Sequence, residues 1–218
     1  MPLDFEQARY YLVEQQVRPW DVLDPRVLAT LLSVKREDFV PPRHRKLAFA
    51  DIALPLEHGE FMMKPVLEGR VLQSLELQST DEVLEIGTGS GFLTACLANL
   101  VREVLSIDLH TDFIDRARPR LAAAGFANVK LQAADAANFV PGRKFDAIAV
   151  TGAVDELPES FASWLKPNGR LFFVRGHSPR MEAVLLRSDA NGKLSEESLF
   201  ETDLPYLHGF APVPQFAL

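Results

Sequence analysis

Val83-Leu84-Glu85-Ile86-Gly87-Thr88-Gly89-Ser90-Gly91 is the stretch from which the fold is read. An apolar run suited to a strand carries an acid near its end. Three glycines then alternate with Thr88 and Ser90 before Phe92-Leu93-Thr94-Ala95 opens a helix. Glycine permits the tight turn and lets another molecule approach bare backbone. The first N–H groups of the helix that follows lack partners within it, which suits a ligand at that end. The segment reads as a cofactor loop.

Working outward, strand-like runs recur at 104–107, 129–133, 147–150 and 171–174. Helical patterns lie between them: Leu93 to Leu100, then a helix capped by Thr111 with Phe113, Ala117 and Leu121 as its stripe. Most of these strands are continuously apolar, as parallel strands covered on both faces should be. In 129–133, Lys130 and Gln132 alternate with apolar residues, which places that run nearer a sheet edge. Glu182–Arg187 and Ser195–Thr202 flank the turn Asp189-Ala190-Asn191-Gly192 and read as an edge hairpin. The tail from Pro205 to Leu218, rich in proline and aromatic residues, is expected to lie on the surface without regular structure.

Upstream, Asp4 can cap a helix carrying Phe5, Ala8, Tyr11, Leu12 and Gln15. Asp24-Pro25 starts a second, with Val27, Leu28, Leu31 and Leu32 as its apolar face, and Pro65 opens a third. The expected fold is α/β: a doubly wound, mostly parallel Rossmann-like sheet with an N-terminal helical extension. The division is residues 1–78 for the extension and a loop, and 79–218 for the cofactor-binding domain.

Composition narrows the function classes. Net charge is -7, against the surplus of Lys and Arg that a general nucleic-acid binder needs. The single cysteine, Cys96, excludes an intrachain disulfide and fits a reducing compartment; its helical neighbours Leu93, Leu97 and Leu100 mark it as a core residue. The N-terminus lacks the basic and apolar segments of a secretory signal, and no apolar run approaches a bilayer-spanning length. These features point to a soluble cytoplasmic protein with no membrane partner.

Two cofactor classes use such a loop, dinucleotides and S-adenosylmethionine. Asp108, ending the second strand, suits ribose hydroxyls in both and does not discriminate. The glycines do. A dinucleotide fingerprint wants its last glycine where Phe92 stands, whereas here glycines occupy 87, 89 and 91. Glu85 would repel a pyrophosphate and attract a cationic sulfonium. The expected cofactor is S-adenosylmethionine, held by Glu85, Gly87, Thr88, Gly89, Gly91, Asp108, Leu109, Asp135 and Ala136. Asp135 enters because ligands gather at the carboxyl ends of parallel strands. Thr151 and Gly152, small residues at the end of the fourth strand, leave room for substrate, while Asp146 at its other end reads as structural. Glu57-His58-Gly59-Glu60 offers metal-ligand types, but nothing else in the sequence clusters with it; it reads as a structural loop, and no metal is expected.

Further segments carry a resemblance: Val13-Glu14-Gln15-Gln16-Val17-Arg18, Asp24-Pro25-Arg26-Val27-Leu28, Glu37-Asp38-Phe39-Val40-Pro41, Ala50-Asp51, Leu54-Pro55-Leu56 and Leu165-Lys166-Pro167-Asn168-Gly169-Arg170-Leu171. With the glycine loop, they make the chain similar to the protein-L-isoaspartate O-methyltransferases over most of its length. The resemblance implies methyl transfer from S-adenosylmethionine to the carboxylate of isoaspartyl residues in damaged proteins, with a protein or peptide as partner. It also implies a substrate pocket containing Glu60, Met62 and Met63. Where the family pattern is Gly-Gln-Thr-Ile-Ser-Gln-Pro, this chain has Gly59-Glu60-Phe61-Met62-Met63-Lys64-Pro65, so the family's serine falls on Met63 and its threonine on Phe61. The family's Gly-Asp-Gly after the third strand becomes Ala134-Asp135-Ala136. Three readings stay open: an isoaspartyl carboxyl methyltransferase working without the serine, a methyltransferase of another acceptor, and a non-catalytic S-adenosylmethionine-binding protein. No catalytic residue is assigned.

Overall fold

The computed structural model describes residues 4–213. Helix α1 (Phe5–Tyr11) begins where expected, at Asp4, whose carboxylate accepts from the Glu6 and Gln7 N–H groups. The chain continues through a π-helical turn, Leu12–Val17, and a short 3-10 turn, Arg18–Trp20. Helix α2 (Pro25–Ser33) is capped by Asp24 with proline at its first position. Two short antiparallel strands follow, β1 (Leu54–Pro55) and β2 (Phe61–Met62), and then α3 (Pro65–Ser74). Lys64 stands at the α3 N-cap without a capping side chain; Asp51 takes that role by accepting from the Val66 N–H at 2.9 Å.

The remaining elements build the sheet. They are β3 (Glu82–Ile86), α4 (Phe92–Leu100), β4 (Glu103–Asp108), α5 (Thr111–Ala123), β5 (Val129–Ala133), β6 (Phe145–Val154), α6 (Glu159–Ser163), β7 (Leu165–His177), β8 (Arg180–Ser188) and β9 (Leu194–Thr202). The sheet order is β5-β4-β3-β6-β7-β8-β9. The strands from β5 to β7 are parallel, while β8 and β9 are added antiparallel. β5 lies on an edge, as its alternating polarity requires, and β8 and β9 form the expected hairpin. The path runs from β3 outward to β5 and then returns to β6 on the other side. The crevice therefore opens at the carboxyl ends of β3 and β6, where the winding reverses.

Alternation along the strands feeds two cores. Val83, Val104, Ala147, Ala149 and Phe172 face α4, α5 and the N-terminal helices, in one buried cluster that includes Leu12, Val27, Leu31, Leu67 and Leu72. Residues of 1–78 and of the sheet thus share a single core. Leu84, Ile86, Ile148, Leu171 and Phe173 face the other side, against Phe161 and Trp164. Cys96 is buried in the first cluster, and burial pushes its thiol well above the usual range. Asp146 accepts from the Glu82 N–H at 2.8 Å and from Lys166 at 2.9 Å, tying the sheet at the end away from the crevice.

Two expectations are corrected. Thr111 is the first residue of α5, not its cap: Asp108 Oδ1 accepts from the His110 N–H at 2.9 Å and closes the preceding turn one residue earlier. The described part of the tail, 205–213, runs over the surface without helix or strand, as expected, and is pinned to the sheet at a few points. The Ala153 N–H donates to Pro205 O and the Leu207 N–H donates to Ala153 O, both at 2.8 Å, while Tyr206 Oη donates to Gly176 O at 2.8 Å. The last part of the predicted tail, 214–218, lies outside the described residues. Glu85, finally, points beneath the glycine loop. Its Oε2 accepts from the Thr94 and Ser106 hydroxyls, the side chain is fully buried, and Oε1 has no partner among the described residues. Two residues after Val83, it shares that residue's face of the sheet, the side covered by α4.

Burial dominates the Glu85 carboxyl and raises it from 4.5 to about 8, against the lowering effect of the two hydroxyls. It is therefore protonated at neutral pH. A second buried acid, Glu68 on α3, pairs with Arg36, whose guanidinium also donates from Nη2 to Met63 O at 2.8 Å and lies 4.8 Å from the Phe92 ring centroid. Burial pushes Glu68 up and Arg36 opposes it.

Arg36→Met leaves the buried Glu68 carboxyl without its partner and is expected to cost roughly 3–5 kcal/mol in denaturant unfolding, whereas Arg36→Met with Glu68→Leu recovers most of it. For Glu85 the folded state binds the proton more tightly, so this contribution is complete below the unfolded value of 4.5 and is lost as pH rises through about 8. Thermal melts should show the unmodified protein losing stability relative to Glu85→Gln across that window, and parallel curves would refute the assignment.

Candidate functional site

The site begins with crowding. β3 and β6 are neighbours, so the chain leaving Ile86 must turn away beside Thr151. A Cβ at Gly87 would stand 2.1 Å from Thr151 Oγ1, and the backbone there has φ +103°. The Thr151 hydroxyl donates to Ile86 O at 2.9 Å, sealing the junction. Gly87, Thr88 and Gly89 then line a cavity over the sheet's carboxyl ends. Thr88 Oγ1 meets Ser106 Oγ at 2.6 Å, so the loop and Glu85 share one hydroxyl network.

Asp108 ends β4 beside the loop and is 7% exposed. One carboxylate oxygen accepts from the Gly89 N–H at 2.8 Å and the other from the His110 N–H at 2.9 Å. Each oxygen keeps a lone pair, which suits the adjacent hydroxyls of a ribose. Leu109, Asp135 and Ala136 also line the cavity, joined by Ala134 and Ile107. Both Asp135 oxygens hold their own turn, accepting from the Ala137 N–H and from Asn138 Nδ2 at 3.0 Å. A cradle that a Cβ would fill, a two-oxygen acceptor and small apolar walls for a flat ring fit the nucleoside part of S-adenosylmethionine.

The opposite wall is the segment after β1. Glu60, Met62 and Met63 line it, with Met62 and Met63 buried, and Thr151 and Gly152 line the sheet side. The structure therefore brings together every sequence-predicted site residue except two. Glu85 lies beneath the loop, and Gly91 is the N-cap of α4, facing Ala117 instead of the cavity. The attraction expected between Glu85 and a sulfonium is corrected accordingly: the carboxyl is neutral at pH 7 and does not reach the cavity.

Sequence reasoning missed the roof. Thr202 to Leu207 and His208 line the cavity, and a Cβ at Gly152 would meet the Leu207 side chain at 2.8 Å. The small residue at 152 was the available signal: its space is taken by Leu207. The loop 57–60 also gathers partners that its sequence did not reveal. His58 stacks on His110 at 4.1 Å between ring centroids and meets Asp112 at 2.9 Å, so His58, His110 and Asp112 form a group of metal-ligand types. Arg116 pairs with both Asp112 and Glu57, already occupying the acids as cations would. The group reads as a polar clasp at the cavity mouth.

Comparison with known proteins agrees with this geometry. Residues 8–204 match the family model described as protein-L-isoaspartate(D-aspartate) O-methyltransferase. The protein-L-isoaspartate O-methyltransferase of Nitrobacter winogradskyi is 34% identical over 213 residues, covering 96% of this chain and 98% of that one. The Petrotoga mobilis protein of the same name is 35% identical over 196 residues, covering 88% and 92%. A Plasmodium falciparum structure described as a beta-aspartate methyltransferase, in complex with S-adenosyl-L-homocysteine, superposes with TM-score 0.79 at 20% identity, covering 94% of this chain and 98% of that one. At that identity it speaks for the fold. With a family match spanning nearly the whole chain and relatives aligned end to end, the chain belongs to the protein-L-isoaspartate(D-aspartate) O-methyltransferase family.

Proposed function

We propose that the chain is an S-adenosylmethionine-dependent methyltransferase acting on the carboxylate of isoaspartyl residues in proteins or peptides. The observation that carries this is one cavity with two walls: the Gly87–Gly89 loop with Asp108, and the Met62–Met63 segment roofed by Leu207. Family membership supports it, as relatives with this reaction in their names align over almost their full length. In this reading Asp108 and the loop hold the nucleoside, Leu109, Ala134 and Ala136 flank its base, and Thr151 and Gly152 border the reacting centre.

Bound S-adenosylmethionine supplies an electrophilic methyl group on a sulfonium. The chain's own task is then alignment and exclusion of water. A carboxylate acceptor is already an anion at neutral pH, so no side chain is needed to remove a proton from it. Leu56, Met62, Met63 and Leu204 give the cavity apolar walls that keep the reactants poorly hydrated. Opposite charges that shrink as the methyl moves gain from such surroundings, because both are weakly solvated before the reaction.

In this reading the reaction runs in the cytoplasm, with no nucleic-acid or membrane partner. The net charge of -7 and the lone buried Cys96 support this. No helix among the described residues is long and apolar enough to cross a membrane. A different acceptor is the second reading, favoured by the buried Met63 where the family pattern has serine.

The decisive assay is transfer of labelled methyl to an isoaspartyl peptide against its normal aspartyl counterpart. Transfer to the first alone is expected; transfer to neither, with the cofactor bound, would favour the second reading or a non-catalytic role. Asp108→Asn keeps the shape but halves the acceptor set, so calorimetry should show S-adenosylhomocysteine binding weakened about tenfold or more.

A further inference from the structure

The charges around the cavity are uneven. Glu60, Asp108, Asp135 and Asp203 line it, and the acid Glu68 is already paired with Arg36. Against them stands Lys64, which is the only lysine or arginine among the described lining residues. Among the described residues Lys64 forms no ion pair; nearby, Glu57 and Asp112 pair with Arg116, and Glu60 faces His110 at 3.8 Å. Its side chain is exposed, so it stays solvated and charged until something covers it.

Its backbone is fixed. Arg36 holds the carbonyl of Met63, Pro65 sets the first helical position, and the Glu68 N–H donates to Lys64 O at 3.0 Å. Asp51 ties the next turn through Val66. A rigid frame thus carries an exposed, unpaired lysine next in sequence to Met63, the residue that stands where the family pattern has serine.

From this we infer that Lys64 is the group that holds the substrate's carboxylate, and that it sets the preference of the cavity for an anionic acceptor. This inference rests on the methyltransferase reading above. An anion entering the cavity meets repulsion from the acids and finds Lys64 as the one lysine or arginine among the described lining residues to attract it. Lys64 supplies a point charge with three donors in place of one hydroxyl donor. It makes and breaks no covalent bond. Methylation turns the carboxylate into a neutral ester, which removes the attraction and favours release of product. Because the charge pair is strongest with the unreacted carboxylate, Lys64 contributes to substrate binding more than to the rate of the bound complex.

The test uses the whole protein loaded with S-adenosylhomocysteine and two peptides, one with isoaspartate and one with its α-carboxyl replaced by the carboxamide. Fluorescence anisotropy should show the unmodified protein favouring the carboxylate about tenfold or more. Lys64→Met should bind both peptides equally, and Lys64→Arg should keep most of the preference. In methyl-transfer assays Lys64→Met should raise the peptide KM without lowering kcat, and the S-adenosylmethionine KM should stay close to the unmodified value. The side chain is exposed and unpaired, so the variants are expected to fold, and unchanged S-adenosylhomocysteine binding verifies this. If Lys64→Met keeps the carboxylate preference, the assignment to Lys64 falls and the methyltransferase reading stands. If the unmodified protein neither methylates the isoaspartyl peptide nor prefers it, both fall.

Discussion

Between Gly87 and Thr151 there is room for a hydrogen atom and not for a methyl group, and the site is organised around that junction. Two parallel strands whose helices depart in opposite directions must part where their carboxyl ends meet. The chain leaves β3 in a left-handed turn open to glycine, and the Thr151 hydroxyl closes the gap by donating to Ile86 O. The loop is then close enough to β4 for Gly89 to donate its N–H to Asp108. The same carboxylate turns the chain into α5 through His110. Loop, acid and following helix are one mechanical unit, so the residues that shape the fold here also shape the cavity.

The parts legible in the sequence are those governed by periodicity. Continuous apolar runs identify the central strands because both faces are covered, and Lys130 and Gln132 mark β5 as an edge because one face is not. Asp24-Pro25 and Asp4 announce helix starts through local hydrogen bonds that need no tertiary partner. The glycine loop and Asp108 are legible for the same reason: their spacing is local. Glu85 and Gly91 show the limit. Their nearness to the loop can be read from sequence, but which face of strand or helix each serves depends on packing against Thr94, Ser106 and Ala117. The tail's anchoring was illegible because its contacts with Ala153 are between backbones, which any sequence can make. His58 likewise finds His110 and Asp112 only across a tertiary gap.

The buried Arg36–Glu68 pair links the Met62–Met63 wall of the cavity to the core. A buried ion pair adds little net stability compared with apolar residues of like size, so its value lies in position. Arg36 faces Phe92 at the start of α4, bonds Glu68 on α3 and holds the carbonyl of Met63. One guanidinium thereby sets the acceptor segment relative to the helix that follows the glycine loop. Substituting the side chain at 63 leaves this frame intact, because the bond is made to backbone.

That separation explains how the wall can change chemically while the cavity keeps its shape. Met63 and Met62 are buried and fill space, and the thioether adapts to irregular gaps without demanding a partner. A hydroxyl at 63 would need its own hydrogen bond once the cavity closed and lost its water. A solvated ammonium at the mouth does not, since it pairs only when an anion arrives. Apolar floor and charged rim are therefore two consequences of the same arrangement: the backbone held by Arg36 turns one side chain into the cavity wall and leaves the next at the opening, where charge is cheap to keep and strong once water is displaced.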